Sequence, residues 1–134
     1  MVRRLILLAV LALGLAACGG SGTPKNAVKI KFGRVSGLIT PYTITIAPDG
    51  TVSAEGYPPV EPPKSLTSAE VETLSAQVRN EMGKLTTLQC AHTLPDAASS
   101  FITALGKTVT VRGDCEPRFT ALYDALTTAL HLNE

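Results

Sequence analysis

Cys90, His92 and Cys115 are the side chains in this 134-residue chain whose types and spacing come nearest to chemistry. Thiolate and imidazole are good metal ligands, so Cys90-x-His92 with Cys115 downstream, and Asp96 or Asp114 nearby, could close a tetrahedral site. A Cys-x-His pair alone carries little weight, because tetrahedral zinc sites show tighter paired spacing. The simpler reading joins Cys90 to Cys115 as a disulfide, which needs a compartment that permits oxidation. Such a bridge would stabilise the fold by roughly 3 kcal/mol in the chain-entropy model.

The remaining candidates are weaker. His92 near Cys90 and Asp96 could serve as a base, but a loop histidine is the plainer reading. His131 falls in the expected last turn of a terminal helix, where it would complement the helix dipole. Ser99 and Ser100 stand at the entry to a strand. Glu70, Glu72 and Glu81 occupy the wet face of a helix, and Met82 its apolar stripe. The chain carries no Gly-x-Ser-x-Gly, no His-Glu-x-x-His, no phosphate loop and no dinucleotide fingerprint.

The elements that must hold these residues can be read from periodicity. Val28, Ile30 and Phe32 alternate with Lys29 and Lys31, which predicts a half-buried strand followed by a turn at Ser36-Gly37. A second strand from Tyr42 to Ala47 meets Pro48-Asp49-Gly50, a turn sequence. A three-residue loop there pairs Ile46 with Val52 and Ile44 with Ala54, leaving Thr45 opposite Ser53 and Thr43 opposite Glu55. Residues 57–63 hold four prolines and form a stiff connector, or a segment for an aromatic groove. Thr67-x-x-Glu70 is a capping box flanked by Leu66 and Val71 as a staple, opening a helix whose stripe is Val71, Leu74, Val78, Met82 and Leu85.

A second hairpin is expected from residues 100–105 and 108–113 around a Gly106-Lys107 turn. That register pairs Ile102 with Val111 and Ala104 with Val109 inside, and Thr103 with Thr110 and Phe101 with Arg112 outside. Pro117 opens a last helix with the stripe Phe119, Leu122, Leu126 and Leu130. Residues 42–77 and 100–130 each run strand, turn, strand, helix, as an internal duplication or a recurrent architecture. The expected fold class is α+β: an antiparallel sheet of about five strands with two helices packed on one face, in the order β-β-β-α-β-β-α, a two-layer sandwich.

Ahead of this domain, Arg3-Arg4 and the apolar run from Leu5 to Leu15 have the pattern of a secretory signal, too short to be a good membrane span. Leu15-Ala16-Ala17-Cys18 resembles the lipobox of bacterial lipoproteins. The resemblance implies that residues 1–17 are removed and that Cys18 carries diacylglycerol and often a further acyl chain. Two or more chains hold a protein stably to a bilayer, so Cys18 is the expected lipidation site. Residues 18–25, rich in Gly and Ser, form a flexible tether, and residues 26–134 form a single domain. Without residues 1–17 the chain has ten Lys and Arg against eleven Asp and Glu, a formal charge of −1. That balance argues against nucleic acid as a partner.

Phe32-Gly33-Arg34, Tyr42-Thr43-Ile44-Thr45-Ile46, Asp49-Gly50-Thr51-Val52, Glu55-Gly56 and the capped helix resemble a family of small bacterial secreted or lipoprotein domains with no established function. The likeness spans residues 29–132, the second half in pattern only. It implies the fold and a cell-surface setting, and it supplies no catalytic or binding residues. The Cys90 and Cys115 pair is a departure from it. The expectation is therefore an extracytoplasmic, lipid-anchored protein that is a noncatalytic binding module without cofactor, its partners the membrane through Cys18 and an envelope protein or small ligand. Its candidate binding face is the wet side of the sheet with Thr43, Thr45, Phe101, Thr103, Thr110 and Arg112, or the proline-rich loop; an exposed ring at Phe101 is what solubility alone would not choose. The alternative is a metal-binding or redox lipoprotein using Cys90, His92 and Cys115.

Overall fold

The computed structural model describes residues 22–132. The signal segment, Cys18 and the first half of the tether lie outside the described residues. Six strands form one sheet in the order β3-β2-β1-β5-β6-β4. In chain order these are β1 (Ile30–Val35), β2 (Tyr42–Ile46), β3 (Val52–Gly56), β4 (Leu88–Gln89), β5 (Ser99–Ala104) and β6 (Lys107–Arg112). Two helices, α1 (Ser68–Glu81) and α2 (Pro117–Ala129), pack side by side on one face. The class is α+β, and the sheet is antiparallel except where β4 joins β6.

Alternation explains the layering. Ile30, Phe32, Ile44, Ile46, Ile102, Ala104, Val109 and Val111 point to the helices and share one core with Val71, Leu74, Val78, Leu122 and Leu126. The expected helical stripes are buried throughout, Met82 and Leu85 included. Among the described residues no helix is long and apolar enough to cross a membrane.

The first hairpin has the register that its turn dictates: Ile46 opposite Val52, Thr45 opposite Ser53, Ile44 opposite Ala54 and Thr43 opposite Glu55. Gly50 takes φ +90° in that turn, and its backbone packs against the Leu66 carbonyl where α1 begins. The capping box is complete. Thr67 N–H donates to the Glu70 carboxylate at 2.7 Å, and Glu70 N–H donates to Thr67 Oγ1 at 3.3 Å. The Thr67 N–H and the Thr67 hydroxyl, both donating to it, hold the Glu70 carboxyl below the usual carboxylate range.

Four expectations are corrected. Val28 is outside the first strand, because its N–H donates to Ser75 Oγ on α1 and turns the chain toward the helix layer. β4 is a sixth strand of two residues that has no periodicity to announce it. The second hairpin is shifted by two residues: Phe101 pairs with Thr110, Ile102 with Val109, and Ser99 with Arg112. Its turn is Leu105-Gly106, both at positive φ (54° and 72°), a combination that suits a type I′ turn. Lys107 then becomes the first residue of β6, and its ammonium donates to the carbonyls of Met82 and Leu85 beyond the end of α1. A shift of two preserves which residues face the core, so the layering survives the correction.

His131 is the fourth. It lies past α2 at φ +55° rather than within its last turn. His131 N–H donates to the Thr128 carbonyl at 3.1 Å and Leu132 N–H to the Thr127 carbonyl at 2.9 Å. That is a Schellman ending with histidine in the seat usually held by glycine. The two strand-turn-strand-helix units flank β1 with β2 parallel to β5, β3 and β6 outward, and both helices on the same face. That relation is a reflection, which two superposable copies of an L-chain unit cannot have, so the repeat is architectural.

Candidate functional site

Cys90 and Cys115 are joined, with Cα atoms 5.7 Å apart. The bridge ties the end of β4 to the residues preceding α2. With the sulfurs bonded to each other, neither is a thiolate ligand. His92 is exposed in the following loop at φ +60°, and no three His, Cys, Asp or Glu side chains among the described residues are placed to hold a metal ion. Ser100 faces the helix layer opposite Arg34, whereas Ser99 faces outward opposite Val35.

The outer sheet face carries Thr43, Thr45, Thr103 and Thr110 as expected, with Thr103 and Thr108 hydroxyls 2.9 Å apart. Phe101 is half-buried between Gly33 on β1 and Thr110 on β6. It is not opposite Arg112. Gly33 is obligatory, because a Cβ there would lie 2.0 Å from the Tyr42 carbonyl oxygen. Arg112 is already engaged: its guanidinium donates to the carbonyls of Leu94 and Pro95. These bonds fasten the loop of residues 90–98 to the end of β6.

That loop belongs to a surface that sequence reasoning missed. The C-terminal ends of β1, β3 and β6 and the N-terminal ends of β2 and β5 share one end of the sheet. There, residues 36–41, residues 90–98 and the start of the proline-rich segment meet. Leu38 is 85% exposed, Tyr57 77%, Leu94 69%, and Ile39 and Val35 just above 40%. Only Leu88 and Leu105 are large apolar residues comparably exposed elsewhere among the described residues, and they are isolated. Single exposed leucines are ordinary, whereas several large apolar side chains exposed on neighbouring loops are not.

The crown is braced by backbone contacts. Gly37 at φ +89° lies against the backbone of Asp96 and Ala98, and Leu38 N–H donates to the Asp96 carbonyl at 3.3 Å. On the other flank Tyr57 N–H donates to the Pro41 carbonyl at 3.3 Å. The loop of residues 90–98 is in turn fixed by the disulfide, by Arg112, and by Thr93 Oγ1 donating to the Cys90 carbonyl. At the other end of the sheet the Gly22 carbonyl accepts from Ser68 Oγ at the start of α1.

Under the crown, on the helix side, Tyr42 and Tyr123 share a buried hydroxyl contact of 2.9 Å. Phe32 meets the Tyr123 ring edge-on at 5.7 Å, and Phe119 stacks on it at 5.9 Å. Burial, then the bond to Tyr42, pushes the Tyr123 phenol well above its ordinary value. Beside it Arg34 lies half-buried, its Nε without a hydrogen-bond partner. The only hint of this aromatic knot in the sequence is that Tyr123 follows Phe119 by one helical turn. No protein-family model, curated protein or solved structure matches this chain.

Proposed function

We propose that this chain is a lipid-anchored, extracytoplasmic binding module, tethered through Cys18, that presents its loop crown to an envelope protein. Leu38 carries the reading. A leucine exposed to 85% on a loop braced on both flanks is a preformed knob, and an apolar pocket on a partner would bury it with little ordering cost. Leu94, Ile39 and Tyr57 supply the surrounding contact, in the way that a few apolar and aromatic anchors dominate interfaces. The tether departs from the opposite end, so an anchored domain can turn the crown outward from the bilayer.

Two measurements test this on the full chain in its native membrane. A photo-crosslinking residue at Leu38 is expected to give one discrete protein adduct that the same residue at Thr45, on the outer sheet face, does not give. Adducts at Thr45 and none at Leu38 would transfer the binding site to the sheet. Cys18→Ser is expected to move the protein from the membrane to the soluble fraction, and retention in the membrane would overturn the anchor.

A further inference from the structure

A cavity of about 160 Å³ opens between β1, β5 and the first half of α2. Arg34 and its cross-strand partner Ser100 line one side, and Asp114, Thr120, Tyr123 and Asp124 the other. Thr120 Oγ1 donates to the Asp114 carboxylate at 2.9 Å and fixes its position. The charges do not meet. Lys84–Glu81 is the one ion pair among the described residues, so neither aspartate lies within pairing distance of Arg34. Arg34 also keeps a buried Nε with no acceptor, a group that ordinarily finds one.

A cation on one wall and two carboxylates on the other, separated by open space, are complementary to a molecule carrying both charges. We infer that this cavity binds a small zwitterion of the free α-amino acid class, its carboxylate on the Arg34 guanidinium and its ammonium on Asp114 and Asp124. Guanidinium and carboxylate match as a planar fork, and an ammonium suits a pair of carboxylates. Size sets the upper limit. At about 30 Å³ per water-sized group the space holds roughly five such groups, which fits glycine or alanine and falls below the range of larger ligands.

The full chain, purified in detergent, is titrated with glycine and alanine, and separately with acetate and methylammonium, while backbone amide resonances are followed by NMR. The expected result is a saturable shift at Arg34, Ser100, Thr120 and Asp124 for the amino acids, with roughly tenfold weaker binding of either half-molecule. Arg34→Gln and Asp124→Asn are each expected to weaken glycine binding by roughly tenfold. Asp124 is exposed, so Asp124→Asn keeps the fold and separates lost binding from lost structure. Acetate binding as tightly as glycine, an unchanged Asp124→Asn variant, or no saturable shift up to about 20 mM would each overturn the inference. Because the crown reading rests on Leu38 and its exposed neighbours, none of which lines this cavity, failure here leaves that reading standing.

Discussion

Removing the Cys90–Cys115 bridge by Cys90→Ala with Cys115→Ala tests how much of the fold rests on a constraint of the unfolded chain. The two residues are 25 apart in sequence. The chain-entropy relation then gives a loss of about 12 cal/mol/K of unfolded-state restriction, or about 3.5 kcal/mol at 25 °C. A domain of 109 residues unfolds with an entropy of about 230 cal/mol/K, so the midpoint should fall by about 15 °C. Cys90 is also buried, which adds a packing loss that is absent when the wild-type bridge is merely reduced. Thermal and urea melts of wild type, reduced wild type and the double variant separate these two contributions. The urea slope should rise as well, because an unbridged denatured chain exposes more surface. A midpoint change under about 5 °C, with the bridge verified by intact mass in the oxidised sample, would refute the reasoning. Hydrogen exchange adds a local readout: amides of residues 36–41 and 90–98 should lose protection by more than the global change, since the bridge braces the first loop through the second.

Four further outcomes are expected. Thr67→Ala removes the cap of α1 and should lower stability by about 1 kcal/mol in urea melts at pH 7. Because the folded Glu70 carboxyl titrates below its unfolded value, its stabilisation is full above the unfolded pKa and fades as pH falls through the folded one; the gap between wild type and Glu70→Gln should close on acidification toward pH 3, and a gap that widens would contradict it. His131→Gly, at φ +55° in the Schellman ending, should stabilise the domain by about 0.5–1 kcal/mol, and a loss in the same melts would show that the imidazole contributes more than its backbone strain costs. Gly33→Ala drives a Cβ into the Tyr42 carbonyl and should destabilise by more than about 3 kcal/mol, measured by far-UV circular dichroism in urea.

The parts of the fold governed by local rules were legible. Pro48-Asp49-Gly50 fixed a loop length and hence a register, Thr67 and Glu70 fixed a helix start, and period 3.6 picked out both buried stripes. The second hairpin was misread because its turn places Leu105 at positive φ, where a leucine gives no signal. What holds that register is remote in sequence: the ammonium of Lys107 satisfies carbonyls at Met82 and Leu85. β4 escaped notice for the same reason, since two residues have no period and Leu88–Gln89 pairs only with a strand 23 positions downstream. Arg112 faces outward as its alternation predicts but lies opposite Ser99 rather than Phe101, and its acceptors at Leu94 and Pro95 come from a loop whose path no periodicity encodes.

If the proposed docking role holds, the crown explains why it leaves so little trace in the sequence. Catalysis needs rare side chains in fixed combinations, whereas docking needs ordinary leucines in unusual exposure, and exposure is a tertiary property. Leu38 and Leu74 are the same residue type, yet the first is exposed on a loop where Gly37 lies against Ala98 and the Asp96 carbonyl accepts from the Leu38 amide, and the second is buried. That support runs back to a covalent bond that forms and persists in oxidising compartments. Under the proposed function, export and binding would be coupled: the compartment that an anchored Cys18 would reach is one in which Cys90 and Cys115 close, and that bridge helps to brace the loops around Leu38. A chain kept in a reducing compartment should retain its helices and central strands, which are held by the apolar core, yet present a loosened crown.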